Sequence, residues 1–204
     1  MAESKVRSGQ EAAGNPRARA VFLDRDGTLI HDVGYLCRLE DVRLYPWTAT
    51  AIRKLNQAGW LTITVTNQGG IGKGLYTEEL VEQAQAMIAR ELAKQGARLD
   101  ALYYCPHHPE ASLPAYQLEC RCRKPAPGMV EDAAHRFQID LSSSWVVGDT
   151  RRDMQLGFRT GMRTILVMTG HGADEYKSQQ PAWPSPPDWI AENVLEAAEI
   201  ILAE

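Results

Sequence analysis

The chain has 204 residues and a net charge of −4, from 26 acidic and 22 basic residues. The basic residues are scattered along the chain, which argues against nucleic acid as the main partner, since phosphate backbones bind clustered basic surfaces. No apolar run approaches the roughly 20 residues of a membrane-spanning helix, and residues 1–19 lack the apolar stretch of a secretory signal. We therefore expect a disordered tail over residues 1–19 and a single domain over residues 20–204, cytoplasmic, monomeric and without a membrane partner.

Short apolar runs alternate with helical patterns along this domain. The runs predict strands over residues 20–23, 61–65, 99–104, 145–147 and 164–168. The helical patterns predict helices over residues 48–58, between Thr77 and Gly96, over residues 129–137 and over residues 192–202. In the second helix, one face carries Leu80, Ala84, Met87, Ile88 and Leu92. The alternation predicts an α/β fold with a doubly wound, mostly parallel, Rossmann-like sheet.

Polar side chains follow these predicted strands, at the sheet edge where α/β proteins bind their ligands. They are Asp24, Asp26, Thr66, Asn67, Asp149 and Asp153. Two acids separated by one residue would repel each other in a dry cleft unless a cation neutralised them, and oxygen ligands suit Mg²⁺. The alternative is an ordinary surface turn, since Asp and Gly are common turn residues. The polar residues after the other strands favour the magnesium site, and we expect Arg25 to point away from it.

A second group of side chains combines sulfur and imidazole. Cys105 and His107 are followed by Cys120 and Cys122, a full tetrahedral set for a structural Zn²⁺. The alternative is ordinary thiols and surface histidines, but the segment over residues 111–119 is loop-like and lacks a core of its own, and a metal would fold it. We choose His107 over His108 as the ligand and assign Cys37 no role.

The strand-end residues, together with Lys124, resemble the four motifs of the haloacid dehalogenase superfamily, in the same order, over residues 20–170. The resemblance implies a phosphatase. No long insertion follows Asp26 or separates Lys124 from Asp149, which predicts a minimal cap, and the group of cysteines and histidine predicts a zinc-binding loop over residues 105–122. The resemblance implies that Asp24 attacks phosphorus to form an aspartyl-phosphate, and that Asp26 is the acid and base. Thr66 and Lys124 would stabilise the transferring phosphoryl group. Mg²⁺ would be held by Asp24, the backbone carbonyl of Asp26, and Asp149, with Asp153 steadying the metal shell or Lys124.

The segment Cys-Pro-His-His-Pro, followed by Cys-Arg-Cys-Arg-Lys-Pro, resembles a narrower family, the heptose 1,7-bisphosphate 7-phosphatases, with histidinol-phosphatases as relatives. The likeness implies a small sugar bisphosphate as substrate, with histidinol phosphate or another small sugar phosphate as the alternative. Arg123 is suited to the second phosphate, since a guanidinium meets phosphate bidentately. Thr150 stands where some members of the family carry Lys, with Arg151 and Arg152 next, which leaves the preferred anomer open. The expected substrate-binding residues are Asp32, Val33, Gly34, Tyr35, Thr66, Asn67, Gln68, Gly69, Arg123, Lys124 and Thr150.

Overall fold

The computed structural model describes residues 17–179, 183 and 186–204, so most of the predicted tail lies outside the described residues. Its centre is a parallel sheet of six strands in the order β3-β2-β1-β4-β5-β6. The strands are β1 (Ala20–Leu23), β2 (Leu61–Asn67), β3 (Ala101–Cys105), β4 (Trp145–Gly148), β5 (Arg163–Val167) and β6 (Trp189–Ala191). Strand order reverses between β1 and β4, and their carboxyl ends form the switch point at which such sheets bind ligands. The predicted fold class is confirmed.

The central strands are buried on both faces because successive side chains point to opposite sides of the sheet. Val21 and Leu23 of β1 belong to one hydrophobic cluster, whereas Ala20 and Phe22 belong to the other. All four are fully buried. The strand that carries Asp24 at its end is therefore held by packing on both sides.

Helices cover both faces of this sheet. They are α1 (Thr48–Gln57), α2 (Glu78–Ala93), α3 (Gly128–Phe137), α4 (Arg151–Thr160), α5 (Gly172–Gln179) and α6 (Val194–Ala203). Residues of α1, α2 and α6 pack in one cluster, and those of α3 and α4 pack on the other face. Thr77 caps α2 by accepting a hydrogen bond from Leu80 N–H. Val81, rather than the predicted Leu80, is the buried residue in the first turn of α2.

Three elements escaped the sequence prediction, namely α4, α5 and β6. Thr150 and Asp153 form a capping box that begins α4, but the sequence analysis places both among the site residues, and Gly157 weakens the helical pattern. Strand β6 is only three residues long. None of the helices in the part of the chain that the structure describes is both long and apolar enough to cross a membrane.

Two long connections lie on the site side of the sheet. Residues 106–127 link β3 to α3 as a loop with one 3-10 turn over Pro114–Tyr116. The connection from β1 to α1 contains a second 3-10 turn, Leu39–Asp41. These two loops, rather than a separate cap domain, flank the ends of β1 and β2, in keeping with the predicted minimal cap.

Candidate active site

Asp24 follows β1 directly and lines a cavity of about 170 Å³ at the switch point. Its backbone N–H donates to the carbonyl of Val147 in β4 at 2.9 Å, which anchors it between the two strands. One carboxylate oxygen, Oδ1, accepts from the Arg25 N–H at 2.7 Å and pairs with Lys124 Nζ at 2.9 Å. The other oxygen makes no hydrogen bond to the described residues. One oxygen is therefore held in place, while the other is free for a metal or a substrate.

Asp24, Asp149 and Asp153 gather around Lys124, and we call this group the carboxylate cluster. Burial, opposed by Lys124, raises the pKa of Asp24 to about 7. Burial and then the charges of Asp24 and Asp153 raise the pKa of Asp149 well above its usual value. Burial opposes the charge on Lys124, but Asp153 and Asp24 outweigh it and raise the pKa of the ammonium. Three buried acids with one cation leave an excess of negative charge that a divalent cation would neutralise.

The free oxygens of this cluster indicate which residues fit Mg²⁺. Asp149 Oδ1 is buried and has no hydrogen-bond partner among the described residues, while its Oδ2 accepts from the His171 N–H at 2.8 Å. Both oxygens of Asp153 are already used, by Lys124 Nζ at 2.7 Å and by the amide and hydroxyl of Thr150. Asp24 and Asp149 therefore fit the metal, and Asp153 fits the role of holding Lys124.

Gly27 lets the turn after β1 approach Asp149 closely. Its φ is +82°, and a Cβ at this position would collide with the Asp149 carboxylate. A side chain here would therefore displace a residue that fits the metal. The glycine of the Asp-x-Asp-Gly sequence is required by this close approach.

Asp26, the predicted acid and base, is held by several donors at the edge of the cavity. Arg25 Nε and Nη2 donate to its two oxygens at 3.1 and 3.0 Å. Gln68 Nε2 donates to Oδ2 at 2.9 Å, and the Thr66 hydroxyl lies 3.5 Å from the same oxygen. The prediction that Arg25 points away from the site is wrong, because its side chain is fully buried and lines the cavity.

The backbone of Lys124 is fixed by the side chain of Asn67. Asn67 Nδ2 donates to the Lys124 carbonyl at 3.1 Å, and Asn67 Oδ1 accepts from the Lys124 N–H at 2.9 Å. Lys124 Nζ also donates to the carbonyl of Val65 at 2.8 Å. Asn67 lines the cavity, but its amide is occupied in placing Lys124 at the ends of β1 and β2.

The cavity brings together most of the residues expected to bind substrate. Those lining it are Asp32, Gly34, Tyr35, Thr66, Asn67, Gln68, Gly69, Lys124 and Thr150. Val33 lies outside and is 48% exposed. Arg123 lines a neighbouring cavity of about 720 Å³, which shares Lys124 and Arg152 with the first. The lining residues absent from the predicted set are Arg25, Leu36, Tyr76, Arg152 and His171.

Cys105, His107, Cys120 and Cys122 meet at the base of the loop after β3, and we call them the thiol cluster. The sulfur of Cys105 lies 3.1 Å from that of Cys122 and 3.6 Å from that of Cys120. His107 Nδ1 lies 3.2 Å from the Cys122 sulfur. No disulfide joins these cysteines. Four soft donors this close together fit a tetrahedral Zn²⁺ that would be closed to water.

The thiol cluster adjoins the residues that contact phosphate in our prediction. Arg123 Nη1 donates to the carbonyl of His107 at 2.9 Å, and Gln68 N–H donates to the carbonyl of Cys105 at 2.7 Å. Burial and then the Cys122 thiol raise the pKa of the Cys105 thiol. Metal binding at this cluster would therefore release protons and fix the loop that leads to Lys124.

Comparisons with known proteins agree with this geometry. A family model described as HAD-hydrolase-like matches residues 121–197. D-glycero-beta-D-manno-heptose-1,7-bisphosphate 7-phosphatase of Photorhabdus laumondii is 41% identical over 74% of this chain and 81% of its own length. D-glycero-alpha-D-manno-heptose-1,7-bisphosphate 7-phosphatase of the same organism is 36% identical over 78% of this chain and 87% of its own. The crystal structure of D,D-heptose 1,7-bisphosphate phosphatase from B. bronchiseptica, complexed with magnesium and phosphate, is 32% identical, with a TM-score of 0.80 over 91% of this chain and 98% of that chain.

Proposed function

Because the chain belongs to the D-glycero-D-manno-heptose 1,7-bisphosphate 7-phosphatase family of haloacid dehalogenase-like hydrolases, we propose that it hydrolyses the 7-phosphate of this sugar to give heptose 1-phosphate. The observation that carries the proposal is the carboxylate cluster. Asp24 lies beside Lys124 with one free oxygen, and Asp149 keeps a buried oxygen without a partner. This arrangement suits a nucleophile and a divalent cation at a phosphate.

In the first half-reaction, the carboxylate of Asp24 attacks the phosphorus of the 7-phosphate. The bond between phosphorus and the sugar oxygen breaks, and Asp26 donates a proton to that oxygen. Lys124, whose ammonium is held by Asp24, Asp153 and the Val65 carbonyl, contributes its charge to the transferring phosphoryl group. The Thr66 hydroxyl contributes a hydrogen bond, and both stabilise the transition state. Mg²⁺, when held by Asp24, Asp149 and the carbonyl of Asp26, supplies charge that offsets the repulsion between the carboxylate and the phosphate.

In the second half-reaction, water attacks the aspartyl-phosphate on Asp24. Asp26, now a carboxylate, accepts the proton of that water as the new bond to phosphorus forms. The bond between phosphorus and Asp24 breaks, and inorganic phosphate leaves. Asp26 returns to its protonated state, ready for the next substrate.

A group of cations at the cavity mouth supports a bisphosphate as the substrate. Arg123 and Arg152 lie close enough for the charge of Arg152, after burial, to lower the pKa of Arg123. Burial, then Arg123 and Lys73, lower the pKa of His108. Among the described residues, Lys73, Arg123 and Arg152 have no carboxylate within 4.0 Å. A second phosphate would satisfy these cations, whereas the ammonium group of histidinol phosphate would be repelled.

The test is phosphate release from heptose 1,7-bisphosphate, as separate α and β anomers, and from histidinol phosphate, each with and without Mg²⁺. We expect Mg²⁺-dependent release with a higher kcat/KM for one heptose anomer than for histidinol phosphate. A higher kcat/KM for histidinol phosphate would overturn the substrate assignment while leaving the Asp24 chemistry in place. We also propose a cytoplasmic monomer, in keeping with the reduced thiols that a zinc site requires, and size-exclusion chromatography tests the monomer.

A further inference from the structure

Arg25 forms a buried ion pair at the catalytic carboxylates, and the two-step scheme above gives it no task. Its side chain is 0% exposed, and its fork binds both oxygens of Asp26, whose side chain is 22% exposed. Among the described residues, Asp26 is the one carboxylate within 4.0 Å of this guanidinium. Since a buried ion pair adds little net stability compared with apolar side chains of the same size, its presence calls for another explanation.

The second donor to Asp26 is held by a chain of hydrogen bonds. The Tyr76 hydroxyl donates to Gln68 Oε1 at 2.8 Å, so Gln68 Nε2 is the end that faces Asp26 and the Thr66 hydroxyl. Burial raises the pKa of Tyr76 to about 12, which keeps this hydroxyl a donor. A Cβ at Gly70 would collide with the ring of Tyr76, so the ring fills the space beneath that glycine. Asp26 is thus clamped from two sides by rigid, buried groups.

We propose that Arg25 is a positioning residue that fixes the plane of the Asp26 carboxylate and directs its proton transfers to the cavity. A guanidinium has five donor hydrogens and no acceptor. The lone pairs that Arg25 and Gln68 occupy therefore cannot hold the transferred proton. Asp26 Oδ2 accepts from Arg25 Nε, Gln68 Nε2 and the Thr66 hydroxyl, whereas Oδ1 accepts from Arg25 Nη2 alone among the described residues. The proton would therefore travel through Oδ1 in both half-reactions.

The inference rests on the proposed role of Asp26, and it leaves the number of protons transferred in the two half-reactions unchanged. The proton leaves Asp26 for the sugar oxygen as that oxygen parts from phosphorus, and it returns to Asp26 from the attacking water. Arg25 keeps its charge and its protons throughout. Losing the fork would free the carboxylate to rotate, and a displacement of about 1 Å can lower a rate about 10²-fold.

The experiment compares leaving groups in the first half-reaction, measured by rapid mixing as the burst of released alcohol. An alkyl monophosphate requires a proton on its leaving oxygen, whereas dinitrophenyl phosphate does not. For Arg25→Lys and Arg25→Met, we expect the burst rate to fall by about 10²-fold with the alkyl substrate. With dinitrophenyl phosphate the loss should be at least tenfold smaller. Equal losses on the two substrates in a folded variant would overturn the inference.

Two further variants separate positioning from folding. Arg38 forms a bidentate ion pair with Asp41, with both hydrogen bonds at 3.0 Å, much like the pair between Arg25 and Asp26. The Arg38 side chain, however, is 70% exposed. Arg38→Met is therefore the control, and its burst rates should match those of the parent enzyme. The double variant Arg25→Met/Asp26→Asn removes both buried charges, and its alkyl burst rate should equal that of Asp26→Asn alone. A further drop of tenfold or more would show that Arg25 acts independently of Asp26.

The proposed function and the role of Arg25 would be defeated by different results. A parent enzyme that releases no phosphate from heptose 1,7-bisphosphate would defeat the proposed function. A parent enzyme that is active on the alkyl and dinitrophenyl substrates, with variants that lose activity equally on both, would defeat the role of Arg25 alone. The heptose substrate is not needed for the comparison of leaving groups, so an error in the sugar assignment leaves the test of Arg25 valid.

Discussion

The carboxylate cluster and the thiol cluster are both fitted to metals, yet they differ in what their atoms leave unused. In the thiol cluster, four donors of Cys105, His107, Cys120 and Cys122 lie within 4.8 Å of one another and form a complete tetrahedral set. In the carboxylate cluster, Asp24 and Asp149 each keep an oxygen without a hydrogen bond, beside an open cavity. The first arrangement can only hold a loop, whereas the second can also bind and attack a substrate.

We therefore expect the carboxylate cluster to depend on the thiol cluster, but not the reverse. The loop that the thiol cluster would close ends at Arg123 and Lys124, and Lys124 is the cation within the carboxylate cluster. Damage to the thiol cluster should therefore reach the chemistry through Lys124. Damage to the carboxylate cluster should leave zinc binding intact.

Replacing Asp24, the proposed nucleophile, gives the largest expected effect and tests the comparison most directly. We expect Asp24→Asn to lower the rate of phosphate release by about 10⁴-fold or more, because an amide cannot replace the covalent nucleophile. Its zinc content should equal that of the parent protein by elemental analysis. Turnover within tenfold of the parent enzyme would show that Asp24 is not the nucleophile.

A zinc-ligand variant tests the other half of the comparison. Cys105→Ser should lose most of its zinc and about 3 kcal/mol or more of its free energy of unfolding, since structural zinc contributes directly to folding. Phosphate release should fall with it, because Lys124 would lose its support. Cys37→Ser is the matched control, as Cys37 is exposed and stands outside the cluster. Equal zinc content in the two variants would contradict the assignment.

Replacing Arg123, the residue proposed to bind the second phosphate, should have a smaller effect, which falls on substrate specificity. Arg123→Met should lower kcat/KM for the heptose bisphosphate by about 10- to 100-fold, the loss expected for a charge-assisted hydrogen-bond partner of a phosphate. A monophosphate that lacks the distal group is the control substrate, and its kcat/KM should change much less. Equal losses on both substrates would mean that Arg123 acts by holding the carbonyl of His107 instead.

The smallest expected effect is the pH dependence of magnesium binding. The pKa of Asp24 is raised from 3.8 to about 7 without metal, so the stabilising contribution of its protonated form is complete below about pH 4 and is lost as the pH rises through 7. Mg²⁺ needs the ionised form. Adding Mg²⁺ should therefore raise the Tm more at pH 8 than at pH 5.5, by about 1–2 kcal/mol in free energy. An equal shift at both pH values in calorimetry would contradict this linkage.

Much of the candidate site could be predicted from the sequence because its residues directly follow the strands. Asp24 and Asp149 come directly after buried apolar runs, so their meeting at the switch point follows from a parallel sheet alone. The direction of Arg25 could not be read this way. The alternation of strand side chains stops at Leu23, and the turn through Gly27 sets where the next side chains point.

The sequence also could not predict the residues that reach the cavity from other loops. His171 follows β5, and Tyr76 precedes α2. Their places depend on how each loop returns over the sheet, which no local pattern encodes. Lys73 and Arg152 gave no signal of an anion site, because Asp153 directly follows Arg152 in the chain. The structure is needed to show that no carboxylate of the described residues lies within 4.0 Å of either cation. Helix α4 was not predicted because its capping residues, Thr150 and Asp153, were interpreted as site residues.

The central claim is covalent chemistry at Asp24, and trapping the intermediate tests it most directly. The enzyme is mixed with substrate, quenched in acid within the first turnover, reduced with borohydride, digested and examined by mass spectrometry. Reduction converts an acyl phosphate to an alcohol, so we predict homoserine at position 24 and unchanged Asp26. Homoserine at position 26, or a phosphate burst without any reduced residue, would contradict the account.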